Sequence, residues 1–203
     1  MSLKKVIVTF ALVALFSLAR SARAEDPGIQ ARAVFAGGCF WCMQPPFDHV
    51  DGVTATVVGY AGGTQENPTY GQVSAGETTH RESIEVTYDP TKVTYDELLE
   101  VFWRNINPVQ TDGQFRDVGA QYTSAIFYTS EEQRNAAKAS KEALAKSGKF
   151  DKPIATAILP ATKFWPAEEY HQKYYLKNPL SYQFYHFVSG RDSFEHRIWG
   201  DAR

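Results

Sequence analysis

Ala33-Val34-Phe35-Ala36-Gly37-Gly38-Cys39-Phe40-Trp41-Cys42 is the stretch on which both the fold and the chemistry turn. Its first four residues form an apolar run rich in strand formers, and its glycine pair lets backbone come close to a ligand. Downstream, Trp41, Met43, Phe47 and Val50 line one side of a helix interrupted at Pro45-Pro46. The first cysteine therefore opens a helix. At such a terminus the unpaired N–H groups and the positive end of the dipole favour a thiolate, so Cys39 is expected to have a lowered pKa and to act as a nucleophile near neutral pH. Cys42 follows one turn later, at a Cα separation of roughly 5 to 5.5 Å, inside disulfide range, so the pair can cycle between dithiol and disulfide.

These are the only cysteines among 203 residues. A bare CxxC describes a redox pair or half of a zinc site equally well. A zinc site built from Cys39, Cys42 and two histidines lacks a second ligand pair at recognisable spacing. A purely structural disulfide across two residues closes so small a loop that it restrains the unfolded chain little. A redox role explains the spacing better, and no metal or other cofactor is expected.

Toward the amino terminus, Lys4 and Lys5 precede an apolar run from Val6 to Leu18, and Ala22-Arg23-Ala24 carries the small residues of a cleavage site. Residues 1–24 read as a signal peptide, with an apolar run short of the roughly 20 residues of a membrane span. Residues 25–203 then form one domain. Cleavage removes four of the 21 basic residues and no acid, leaving 17 against 23 acidic side chains, a net charge of −6. That balance argues against nucleic acid as a partner. The expected location is periplasmic or secreted, with no membrane attachment after cleavage and a monomeric state.

Toward the carboxyl terminus, Val53 to Tyr60 is a β-branched run ending at Ala61-Gly62-Gly63, and a long loop from Thr64 to Thr79 contains Asn67-Pro68-Thr69-Tyr70. Arg81 to Tyr88 alternates, placing Glu82 on one face with Ile84, Val86 and Tyr88. Thr94-Tyr95-Asp96-Glu97 is a capping box for a helix burying Leu98, Leu99, Phe102, Trp103 and Ile106, and Gln121 to Tyr128 supplies the next strand. The order β-α-β-β-α-β is the ferredoxin-like arrangement of a two-layer α+β sandwich. An alanine-rich helix after Ser130 and a strand at Ile154 to Leu159 decorate this core, and from Phe164 onward the chain reads as an irregular aromatic arm.

Glu82, a carboxyl on an apolar strand face, is expected to stay protonated through desolvation and so to be able to donate a proton; pairing with Arg81 or another base is the alternative.

GCFWC at Gly38–Cys42 resembles the active-site signature of the peptide methionine sulfoxide reductases of the A type, most of which carry Gly where this chain has Cys42. The resemblance extends through Gly59-Tyr60-Ala61-Gly62-Gly63, Asn67-Pro68-Thr69-Tyr70, His80-Arg81-Glu82, Asp117-Val118-Gly119-Ala120-Gln121-Tyr122 and Ala167-Glu168-Glu169-Tyr170-His171-Gln172, in order and spacing. It implies Cys39 as nucleophile, Phe40 and Trp41 as a pocket for the substrate methyl, Tyr70, Glu82 and Tyr122 around the sulfoxide oxygen, and Asp117 supporting them through hydrogen bonds. The implied activity is reduction of methionine (S)-sulfoxide, free or in proteins. Cys42 would resolve the sulfenic acid on Cys39, and a thioredoxin or thioredoxin-like exported reductant would open the disulfide. The competing readings are a general thiol-disulfide oxidoreductase, which shares strand, CxxC and helix, and an exported binding module with a structural bridge.

Overall fold

A computed structural model describes residues 29–200; the expected signal peptide lies outside the described residues. Strand β1 (Ala31–Ala36) leads through Gly37-Gly38 into helix α1 (Phe40–Asp48), β2 (Val53–Ala61), the short helix α2 (Tyr70–Ser74) and β3 (Arg81–Tyr88). Then come α3 (Tyr95–Arg104), a small hairpin of β4 (Gly113–Gln114) and β5 (Asp117–Val118), β6 (Ala125–Tyr128), α4 (Glu131–Lys146), β7 (Ala157–Pro160) and β8 (Trp165–Pro166).

The six-stranded sheet has the order β7-β6-β1-β3-β2-β8. Its central four strands, β6-β1-β3-β2, are mutually antiparallel, which is the ferredoxin-like order. β7 joins β6 in parallel after the α4 crossover, and β8 pairs with two residues of β2 at the opposite edge.

Burial explains the layering. Ala33 and Phe35 of β1 and Ile84, Val86 and Tyr88 of β3 point at the helices, where they meet Met43 and Phe47 of α1, Leu98, Leu99, Phe102 and Trp103 of α3, and Ala137 and Leu144 of α4. Phe35 stacks between Phe47 at 5.3 Å and Phe102 at 5.1 Å. On the other face, Val34, Ala36, Ala61, Ala125 and Phe127 form a smaller cluster against Leu159 and Phe164.

Four local readings change. Pro45 and Pro46 do not interrupt α1, which runs through them to Asp48; their missing N–H groups forfeit bonds within a single turn, and packing of Met43 and Phe47 holds the rest. The loop after β2 contains α2, closed by a capping box in which Thr69 and Gln72 exchange hydrogen bonds. β6 starts at Ala125, because residues 120–122 form a 3-10 turn after Gly119. The aromatic arm is irregular only in its first part. Beyond Lys173 it folds into α5 (Tyr174–Lys177), α6 (Pro179–Ser189) and α7 (Arg191–Trp199), with Pro179 opening α6 and Gly190, at φ 81°, separating α6 from α7.

Candidate active site

The carboxyl end of β1, the amino end of β3 and the carboxyl end of β2 meet at one edge of the helix layer. Gly38 turns there with φ +84°, and a Cβ on it would come within 2.5 Å of the Gln114 side chain, so only glycine passes the chain into α1. Cys39 is the N-cap residue of α1; its carbonyl accepts from the Cys42 and Met43 N–H groups. Its thiol receives no capping hydrogen bond from the backbone.

Both cysteines are free thiols, 6% and 1% exposed. The expected depression of the Cys39 pKa does not hold: burial pushes this thiol up, and a hydrogen bond to Cys42 adds to the effect. Desolvation of the sulfur outweighs the helix terminus because no N–H group points at it. The pair's negative charge favours Cys42, lowered by the hydrogen bond that Cys39 donates to it and by the Arg191 guanidinium.

Glu82 lies opposite Tyr60 in the β2–β3 register and is 2% exposed. Its Oε2 accepts the Phe40 N–H at 3.0 Å, which anchors the carboxyl beside Cys39. Burial raises its pKa well above the carboxylate range, and the neighbouring charges of Cys39 and Asp117 act in the same direction. The carboxyl is therefore a neutral acid. The alternative pairing with Arg81 is not made: the Arg81 guanidinium donates to Thr123 instead.

Around this acid the predicted tyrosines come together. Burial pushes Tyr70 up to about 12 and raises Tyr122 further, with the charge of Glu82 next in effect for both. Tyr70 is set by its own N–H donating to Glu168 Oε1 at 2.9 Å, while Glu168 Oε2 accepts from the Tyr60 hydroxyl at 2.8 Å. Phe40 packs beside Tyr60, Tyr70 and His171. Trp41 is half-buried, stacks on Tyr174 at 3.8 Å, and donates from Nε1 to His171 Nδ1 at 3.0 Å.

Asp117, on β5, accepts the Tyr185 hydroxyl at 2.6 Å, and Tyr185 stands close enough to Cys39 for each to shift the other's ionisation. Asp117 thus reaches the cysteine through a tyrosine of α6 that the sequence reading did not single out. Tyr182, Tyr185, Arg191 and Tyr174 all come from the arm, and His171 of the same arm is buried as the acceptor of the Trp41 N–H. For the tyrosines the only advance signal was the density of aromatic residues after Phe164, whereas His171 lay in the Ala167–Gln172 segment that carries the resemblance. Among the described residues no three His, Cys, Asp or Glu side chains gather to hold a metal.

A buried dithiol beside a protonated carboxyl and two un-ionised tyrosines can donate two electrons from sulfur while offering hydrogen bonds to an oxygen that becomes basic. Three comparisons bear on it. The family model described as "Peptide methionine sulfoxide reductase" matches residues 31–203. The "Peptide methionine sulfoxide reductase MsrA" of Halalkalibacterium halodurans is 55% identical over 169 residues, spanning 83% of this chain and 96% of that protein. Among solved structures, reduced Mxr1 from Saccharomyces cerevisiae superposes with a TM-score of 0.69 at 35% identity, covering 76% of this chain and 88% of that one. Methionine sulfoxide reductase A of Corynebacterium diphtheriae gives 0.67 at 37% identity, covering 77% and 78%.

Proposed function

The chain belongs to the peptide methionine sulfoxide reductase family, an oxidoreductase that reduces methionine sulfoxide with thiol electrons, and from that premise we propose how its own residues divide the work. Cys39 attacks the sulfoxide sulfur. Its proton passes along the hydrogen bond to Cys42, while Glu82 gives its proton to the sulfoxide oxygen. Methionine leaves as the thioether, and the oxygen stays on Cys39 as a sulfenic acid. Phe40 and Trp41 receive the substrate methyl, Tyr70 and Tyr122 hydrogen-bond the oxygen, and Asp117 steadies the cysteine through Tyr185. The observation that carries this reading is the buried carboxyl of Glu82, held neutral and fastened to the Phe40 N–H beside the thiol. An ionised carboxylate there would repel the polarised oxygen and could not donate.

Cys42 then closes a disulfide with Cys39, and a thioredoxin or thioredoxin-like exported reductant opens it. The substrate is the S epimer, free or within oxidised proteins. Residues 1–24 are a cleaved signal peptide and residues 25–203 the catalytic domain of a monomer working in the periplasm or outside the cell. The basic and apolar pattern of the first 24 residues supports that location. No metal or other cofactor takes part. The mature protein, incubated with dithiothreitol and each pure epimer of methionine sulfoxide, is expected to turn over the S form; faster turnover of the R form overturns the assignment.

A further inference from the structure

Arg191 is the largest fully buried side chain of the described residues, 1% exposed, and it stands at the first position of α7. A cation at the positive end of a helix is misplaced electrostatically. The guanidinium also reaches the turn that opens α1: Nη2 donates to the Gly37 carbonyl at 3.2 Å and would lie 3.3 Å from a Cβ on Gly38. Nη1 donates to the Asn105 carbonyl and touches Met43 Sδ at 3.9 Å, and the Phe115 ring covers one face at 4.4 Å. Nε is buried with no hydrogen-bond partner. Among the described residues no carboxylate lies within ion-pair distance of it. Asp117 interacts only through space, with its carboxylate taken by Tyr185, and Asp192 pairs with His186.

A buried cation against two helix amino termini and without a carboxylate is costly unless an anion comes to it. The ionisable groups that face it are Asp117 on the β4–β5 hairpin, Tyr182 on α6 and Cys42 on α1. Tyr182 is pushed up by burial and stays neutral. That leaves the Cys42 sulfur, on the residue before Met43, whose sulfur the guanidinium touches, and in the turn whose Gly37 carbonyl it holds; the guanidinium's charge favours the Cys42 thiolate.

We propose that Arg191 is the standing counter-ion of the Cys42 thiolate, a positioning residue that sets the rate at which the Cys39 sulfenic acid is closed to a disulfide. The inference rests on the reading of Cys42 as the resolving thiol. In that step Cys42 S⁻ attacks the sulfenyl sulfur, the S–S bond forms and the S–O bond breaks. Cys42 is oxidised, the Cys39 sulfur is reduced, and the oxygen leaves as water with the proton Cys42 had released. The rate follows the thiolate fraction of the attacking sulfur. Arg191 thus acts on the second half of the reaction and leaves the first to Cys39 and Glu82.

In Cys39→Ser the remaining thiol is Cys42 alone, and the serine hydroxyl keeps a hydrogen-bond donor beside it. Its titration, followed by thiolate absorbance and by the S–H Raman band, is expected below the ordinary cysteine value of about 8.5. Adding Arg191→Met is expected to raise that midpoint by at least about one pH unit, a tenfold loss of thiolate near neutrality, and Arg191→Lys to restore most of it. In the chain with both cysteines, Arg191→Met is expected to slow bridge formation about tenfold, read by acid quench and intact mass, while methionine is still released in the first turnover. A midpoint at or above the ordinary value in Cys39→Ser overturns the proposal whether or not the methionine variant folds. An unchanged midpoint in a folded Arg191→Met variant overturns it too. Failure of the resolving role itself shows elsewhere, as undiminished turnover of Cys42→Ser with a thioredoxin donor.

Discussion

Replacing Glu82 by glutamine separates the proton from the shape. The side chain is 2% exposed, and its Oε2 accepts one N–H, from Phe40 at 3.0 Å. Glutamine presents a carbonyl oxygen at that place, so a hydrogen bond of about 1 kcal/mol is kept and no cavity opens. The change in stability at acidic pH is therefore expected to stay below about 1 kcal/mol. Loss of a placed general acid costs about 10² to 10⁴ in rate, or about 3 to 5 kcal/mol of transition-state stabilisation. The kcat/KM of Glu82→Gln for methionine (S)-sulfoxide, measured with dithiothreitol, should fall by that factor while a single turnover still releases methionine. The pH dependence has a definite sign. The folded protein holds a proton that the unfolded chain gives up above the ordinary carboxylate range, so this group's contribution to stability is complete at low pH and is lost as pH rises through its raised folded value. The glutamine variant lacks that loss and should gain on the parent in urea unfolding as pH rises above the ordinary carboxylate range. Turnover within threefold of the parent, or a stability gap that does not change with pH, would refute the neutral-acid role.

Cys42→Ser should release about one methionine per chain and then stall with a thioredoxin donor, whereas Cys39→Ser should release none; full steady-state turnover of Cys42→Ser would mean that the donor resolves the sulfenic acid directly. Phe102→Ala, at a side chain with no exposure that stacks on Phe35 at 5.1 Å, should cost about 3 to 5 kcal/mol in urea unfolding, and a cost under about 1 kcal/mol would contradict its place in the core.

Much of this site was legible because its first residues sit on regular elements. Glu82 belongs to an alternating strand, so its face followed from Ile84, Val86 and Tyr88, and Cys39 follows a strand and a glycine turn, which made it a helix opener. What escaped is non-local. Tyr185, which acts on the Cys39 thiol, and Arg191, which holds the Gly37 carbonyl, come from α6 and α7, more than 140 residues away in the chain. The arm's own pattern also misleads. On α6 the apolar residues at helical spacing, Leu180, Phe184 and Phe187, are 80%, 69% and 75% exposed, while Tyr182, Tyr185 and Ser189 face the protein. A reading that buries the apolar stripe would have turned Tyr185 away from Asp117. Arg191 gave no local signal either, since an arginine after Ser-Gly reads as a solvated surface residue until its cover of Phe115, Asn105 and the Gly37 turn is seen.

The central claim is that Cys39 and Cys42 together deliver the two electrons for one sulfoxide. Reduced, desalted protein mixed with excess methionine (S)-sulfoxide and no external reductant tests it by thiol titration under denaturing conditions, methionine quantitation and intact mass. The account predicts two titratable thiols per chain before the reaction and none after, with about one methionine formed per chain and a product lighter by two hydrogens that regains both thiols with dithiothreitol. Two thiols still titratable after the excess sulfoxide would contradict it.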